Sequence, residues 1–318
     1  MGEKMCVFSP IFFRGFFIMP YPLLSYHGGH SGDLCDHARD TKTDLLASYV
    51  AKGFTHVGIT EHLPPPDDAF LYPSEIEKGH DAAYLQRVFD TYQLQTRPRL
   101  REQYGDKLHL AFSFETEWYG LEPARWLETN LEKYRPEYLV ASVHHVDDIP
   151  IDMNPTQYAQ AAQSSGGVDG LYQAYYDAQF DLFAALSPFA SRIPIVVAHF
   201  DLIKIFSPDH DPSEEVWQPI VRNLEFAIAN EYVFEVNARA FKKGLGEPYP
   251  SAHLLTQIRD MGGEITLGDD SHAADEVGLH FADALPVIRP IFDEVTAFEW
   301  RAQACGEGER LVRVKLPL

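Results

Sequence analysis

Seven short apolar runs alternate with longer segments of helical periodicity. They predict an α/β protein of repeated βα units, a barrel of parallel strands wrapped by helices. A second observation sharpens the first, because each run ends in polar residues: His27-Gly-Gly-His30, Glu61-His62, Glu115-Thr-Glu117, His144-His145, His199-Phe-Asp201, Glu235-Val-Asn237 and Asp269-Asp270-Ser-His272. In such a barrel the C-terminal strand ends converge on one mouth, where enzymes of this architecture keep their chemistry. Seven ends carrying ligand-type side chains therefore predict one shared polar site.

In chain order, the strand expectations are Leu23 to Tyr26, His56 to Thr60, Leu110 to Thr116, Tyr138 to Val143, Ile193 to His199, Val233 to Asn237 and Glu264 to Gly268, each a short β-branched and apolar stretch. Helices are expected at Thr43 to Lys52, Asp81 to Tyr104 (ending near Gly105), Leu121 to Tyr134, Gly170 to Leu186, Ser213 to Asn230 and Ser251 to Met261. Asn154 to Gly170, rich in Gln, Ser and Gly, reads as an inserted surface loop. No repeat, low-complexity tract or linker interrupts the pattern, so residues 21–318 read as one barrel domain.

Residues 1–20 read as an extension. Phe8 to Met19 is apolar, but Arg14 and Gly15 break the run and no small-residue cleavage site follows. The stretch is too short to span a bilayer. A start at Met19 is the alternative reading.

The 318 residues include 47 Asp+Glu against 26 Lys+Arg, a formal charge of -21, with 45% hydrophobic residues. That composition builds a sizeable core. The negative excess disfavours a long nucleic acid or an anionic membrane as partner. Three cysteines, Cys6, Cys35 and Cys305, do not form a disulfide framework. A reducing, cytoplasmic location is the expectation, and the oligomeric state is not readable.

Many imidazoles beside few carboxylates point to metal chemistry. Neutral imidazole binds ions such as Zn, Fe and Mn, and a carboxylate can bridge two of them. Three divalent ions held by three or four side chains each need about nine or more protein ligand atoms. The strand ends supply about that many, and two or more ions can activate water and clamp a transferring phosphoryl group. Metal-assisted phosphoester hydrolysis is the reaction class expected.

The string Tyr26-His-Gly-Gly-His-Ser-Gly-Asp-Leu-Cys-Asp-His37, with Gly58-Ile-Thr-Glu-His62, Phe114-Glu115, Ser142-Val-His144, Ala198-His199-Phe-Asp201, Glu235-Val-Asn237 and Gly268-Asp-Asp270-Ser-His272, resembles the polymerase and histidinol phosphatase (PHP) superfamily. Within it, the similarity is greatest to the histidinol-phosphate phosphatases. The resemblance implies a distorted (β/α)7 barrel with three divalent ions (Zn, Fe or Mn) at the strand C-termini. It places His27, His30, Glu115 and Asp270 on one ion. Glu115 bridges to a second ion held by His144 and His199, while His37, His62 and His272 hold the third. The family commonly begins with HxH, whereas this sequence is one residue longer at His27-Gly-Gly-His30, and either Asp36 or His37 takes the third-ion position. Against two carboxylates, three divalent ions leave about +4 locally, suited to one small phosphate ester.

Strand alternation favours Asp270 with His272 over Asp269, and His144 over its neighbour His145, which is instead a candidate for touching substrate. Glu117 reads either as a partner behind a ligand or as solvent-exposed, and Cys35 as a buried thiol. Asp201 is a candidate for orienting a ligand or for protonating the leaving group, with a purely structural role as the alternative. Arg239 is the candidate for binding phosphate, while Lys242 and Lys243 beside it read either as further phosphate contacts or as a solvated turn. Glu235 and Asn237 either hold the amine or imidazole end of a substrate or brace metal ligands.

The resulting expectation is a phosphomonoesterase releasing phosphate and L-histidinol from L-histidinol phosphate in histidine biosynthesis. The rivals are a phosphoesterase acting on another small ester, a nucleotide or a DNA end, a metal-dependent amidohydrolase, and a noncatalytic metal-binding protein. A DNA-end enzyme should show a basic stripe, which is absent from the sequence, and the amidohydrolase's bridging lysine has no counterpart.

Overall fold

The computed structural model describes residues 21–121, 124–302 and 309–318. The expectations for residues 1–20, Cys6 and Cys305 lie outside them.

Seven strands form one parallel sheet: β1 (Leu24–Ser25), β2 (His56–His62), β3 (His109–Thr116), β4 (Leu139–Ala141), β7 (Ile195–Val197), β8 (Val233–Asn237) and β9 (Glu264–Gly268), adjacent in that order. Between β4 and β7 lies a small antiparallel ribbon of β5 (His145–Val146) and β6 (Ile149–Pro150). Tyr26 N donates to Leu267 O at 2.9 Å and Asp270 N to His27 O at 2.8 Å, so the first strand meets the last and the barrel nearly closes. Strands buried on both faces read as the near-continuous apolar runs seen in the sequence.

The helices cover the outside as the periodicity predicts. Thr41 and Asp44 form a capping box ahead of Lys42–Lys52, and Gly53 closes that helix in the left-handed region at φ 83°. The single helix expected from Asp81 to Tyr104 is divided. Ala82–Thr91 and Arg97–Tyr104 are separated by a widened π turn at Tyr92–Thr96, next to Pro98, which lacks the N–H an unbroken helix would use.

Two further differences from the sequence reading stand out. Asn154 to Gly170 is not a loop throughout, because Pro155–Ser164 is helical, with Asn154 accepting from Gln157 N and proline opening the first turn. The chain also ends in an antiparallel pair that the sequence reading did not find, β10 (Glu294–Ala302) and β11 (Glu309–Pro317). This pair closes the barrel floor. Tyr26 Oη donates to Phe298 O at 2.9 Å and accepts from Phe298 N at 2.7 Å, and Phe298 packs on Tyr26 and Tyr138. With the floor filled, the polar strand ends face the opposite, open side.

Candidate metal centre

Glu115, at the end of β3 and almost fully buried, is the hub of that mouth. Its Oε2 lies 3.2 Å from His27 Nε2, 3.6 Å from His30 Nε2 and 3.1 Å from His62 Nδ1. Its Oε1 lies 3.4 Å from His144 Nε2 and 3.3 Å from His199 Nε2, and accepts from Ser142 Oγ at 2.6 Å. The extra residue in His27-Gly-Gly-His30 is absorbed by backbone. Gly28 at φ 152° and Gly29 at φ 71° make a turn that L side chains rarely adopt, and a Cβ on Gly28 would overlap Asp269. Both imidazoles thereby return to Glu115.

A second group adjoins the first. His30 stacks on His62 and on His272 with ring centroids 4.4 Å apart in each pair, and His37 stacks on His272 at 4.9 Å. Cys35 Sγ approaches His37 Nε2 at 3.2 Å. Donor atoms within 4.8 Å of one another fall into four neighbouring sets here: His27, His30, Glu115; His30, Asp270, His272; Glu115, His144, His199; and Cys35, His37, His62, His272. Asp36 belongs to none of them and instead meets Lys78 Nζ at 2.7 Å and His80 Nδ1 at 3.0 Å.

These residues fit divalent ions. His27 Nε2, both nitrogens of His30, His62 Nε2 and His199 Nδ1 are buried without a hydrogen-bond partner. Orphaned buried polar atoms are costly, and imidazoles converging on shared carboxylates are the donor chemistry of Zn-, Fe- or Mn-type ions.

Behind the donors sits a set of buried acceptors. Glu117 accepts from His144 N at 2.8 Å and Nδ1 at 2.6 Å. Glu235 Oε2 lies 3.0 Å from His27 Nδ1 and accepts from His199 N at 2.9 Å. Only glycine at 268 leaves room for it, since a Cβ there would overlap Glu235 Oε1. Glu61 accepts from Ser31 Oγ at 2.5 Å and pairs with the buried Lys42, which also reaches Gly29 O. Such partners fix the tautomer and aim of a ligating imidazole. Burial works against charge on Glu115, but the surrounding histidines outweigh it and hold the carboxyl well below its ordinary range. Glu117 is likewise held down to about 2 by His144 and His145 despite burial.

Several of the candidate substrate and catalytic residues have partners within the protein. Glu235 and Asn237 are fully buried beneath the donors. Glu235 braces His27 and His199, while Asn237 donates to Asp270 Oδ2 at 3.4 Å and accepts from Arg239 N at 2.9 Å, so neither opens to a substrate. Asp201 Oδ2 accepts from Ser251 N and pairs with Lys204, each at 3.0 Å, which holds the 247–251 turn, while its Oδ1 is buried without a hydrogen-bond partner. His145 turns to Tyr72, Tyr119 and a neighbouring hollow lined by Trp118 and Asp148. Lys242 is engaged by Glu276 at 2.5 Å, and its neighbour Lys243 borders the mouth instead. Asp269 points away, accepting from Ser25 Oγ, Tyr49 Oη and Gly278 N.

The mouth opens into a cavity of about 300 Å³ lined by His37, His62, Glu115, His144, His199, Asp270 and His272 together with Arg239, Lys243, Asp152, Met153, Leu202, Ile205, Tyr72 and Tyr249. Arg239 Nη1 donates to Asp270 O at 2.6 Å and to Glu276 Oε2 at 3.0 Å, which fixes the guanidinium at the rim. Sequence reasoning missed Asp152 and Tyr249, whose Oδ1 and Oη are buried without partners, because neither ends a barrel strand.

The PHP domain family model matches residues 27–239, from just after β1 to just past β8. The chain belongs to the PHP domain family. The Schizosaccharomyces pombe protein named "Probable histidinol-phosphatase" is 35% identical over 258 residues, covering 79% of this chain and 81% of its own. The Saccharomyces cerevisiae histidinol-phosphatase is 25% identical over 289 residues, covering 80% and 84%. The PHP fold of this chain aligns with the crystal structure of the Lactococcus lactis histidinol phosphate phosphatase complexed with zinc, L-histidinol and phosphate. The TM-score is 0.57 at 19% identity, over 87% of this chain and 97% of that one. A Listeria monocytogenes structure aligns with a TM-score of 0.67 at 18% identity, over 81% and 98%. Among the described residues no helix is long and apolar enough to cross a membrane.

Proposed function

We propose that this PHP protein is a metal-dependent phosphomonoesterase that hydrolyses L-histidinol phosphate to L-histidinol and phosphate, acting in the cytoplasm in histidine biosynthesis. The observation that carries the reading is the convergence of unpartnered imidazoles on Glu115 in the same cavity as Arg239. The names of the relatives supply the substrate.

Three divalent ions are proposed: one on His27, His30, Glu115 and Asp270, one on Glu115, His144 and His199, and one on His37, His62 and His272 beside Cys35. Bound there, such ions supply Lewis acidity toward water and phosphoryl oxygens. The protein's own groups do the rest. Arg239, aimed by Glu276 and the Asp270 carbonyl, meets the non-bridging phosphate oxygens, and Lys243 adds positive charge at the rim. Asp152, with an unpaired oxygen on the cavity wall, faces the ammonium of the substrate, and Leu202 and Ile205 supply apolar surface for its carbon skeleton. The Tyr249 hydroxyl, kept protonated by burial, donates toward the ester or imidazole end.

The test is steady-state phosphate release from L-histidinol phosphate, other small phosphomonoesters, nucleotides and oligonucleotides, on protein of counted metal content. Histidinol phosphate is expected to be the best substrate, with Asp152→Asn raising its KM without a matching effect on a phosphate ester that lacks an amine. A nucleotide or DNA end as best substrate would overturn the assignment.

A further inference from the structure

We propose a second metal site, separate from the mouth, in which His56, His109 and Glu299 hold one zinc-class divalent ion at the barrel floor. His56 and His109 are paired at the starts of β2 and β3, and Glu299 reaches them from β10. The two rings stack with centroids 4.4 Å apart and planes 14° from parallel. His56 Nε2 lies 3.6 Å from Glu299 Oε1, and one donor atom from each of the three residues falls within 4.8 Å of the others. Ligand atoms on a tetrahedral zinc are separated by roughly 3.3 Å, so the histidine–glutamate pair already has nearly that spacing. The remaining adjustment falls on His109, which is exposed.

The polarity of His56 argues for a cation. Only 5% of the residue is exposed, and its Nε2 is buried with no hydrogen-bond partner. Thr55 Oγ1 lies 2.9 Å from His56 Nδ1, which leaves Nε2 to face Glu299 Oε1. A buried imidazole nitrogen without a hydrogen-bond partner, facing a carboxylate oxygen, is satisfied by a shared cation, and Thr55 then plays the part of the partner that orients a ligating histidine. Arg301 occupies the other oxygen of Glu299, 3.4 Å away, leaving Oε1 to the histidines. Water completes the coordination on the exposed side, so the site is structural and ties two barrel strands to the C-terminal strand pair.

The experiment uses full-length protein with its other ions in place, brought to equilibrium by dialysis against micromolar zinc and counted by mass spectrometry. His109→Gln and Glu299→Gln are each expected to hold one zinc equivalent fewer than the wild type, with phosphatase turnover unchanged. Added zinc should raise the melting temperature of the wild type and not that of His109→Gln. Equal zinc counts in wild type and both variants, or an equal rise in melting temperature, would overturn the proposal.

Discussion

Glu117 grips His144 twice, accepting from its backbone nitrogen at 2.8 Å and its Nδ1 at 2.6 Å, so that Nε2 is left to face Glu115 and His199. The arrangement makes Glu117 a positioning residue for a metal donor. Glu117→Gln should therefore lower metal affinity or kcat/KM by roughly 10–100-fold. Metal counts and kinetics should change while the circular dichroism spectrum stays native. A variant with wild-type metal content and turnover would remove Glu117 from this role.

Gly28 lets the His27-Gly-Gly-His30 turn carry one residue more than the family's usual spacing. A Cβ there meets Tyr49 Oη at 2.9 Å as well as Asp269, in a backbone region unfavourable to alanine. Gly28→Ala is expected to cost about 1–3 kcal/mol in denaturant unfolding. It should also weaken ion binding at His27 and His30. Unchanged stability and metal content would show that the turn tolerates a side chain.

Removal of the ions should be felt by the fold as well as by the reaction. Bound ions would give partners to the buried, unpartnered imidazole nitrogens of the mouth, so a chelator should lower the melting temperature along with activity, and zinc or manganese should restore both. Loss of activity with an unmoved melting temperature would contradict the fit of these donors to metal.

Glu264 fastens the C-terminal strands to β9. It pairs with Lys315 at 2.8 Å and accepts from Thr296 Oγ1 at 2.9 Å. Burial raises its pKa, but these partners outweigh burial and hold it below its ordinary value of 4.5. A carboxyl depressed in the folded state stabilises above its unfolded pKa, and that stability is lost as pH falls through the folded value. With the side chain about a third exposed, the difference between wild type and Glu264→Gln should be about 0.5–1 kcal/mol at neutral pH. It should vanish in acid, and a difference independent of pH would count against the ion pair.

The barrel was legible because its strands obey a local rule. Val233–Asn237 and Glu264–Gly268 match their expected limits, each a compact apolar run ended by polar residues or glycine. The helix Pro155–Ser164 was hidden by composition, since its Gln, Ser and Gly neighbours outweighed the cap at Asn154 and the proline at its first turn. The β10–β11 pair was hidden because its strands mix charge and apolar residues, and their purpose, filling the floor around Tyr26, is tertiary.

Within the site, strand ends announced the donors that the structure brings together around Glu115. What lay behind them was less visible. Glu235 and Asn237 end a strand as the donors do, and only packing separates a brace from a group open to substrate. Asp152 and Tyr249 come from connections whose path over the mouth no periodicity encodes.

The central claim is tested most directly by phosphate release from L-histidinol phosphate in the His144→Ala, Asp270→Ala double variant, beside wild type of known metal content. The account predicts rapid release by wild type and none above background from a folded double variant. Release that survives both substitutions would contradict it.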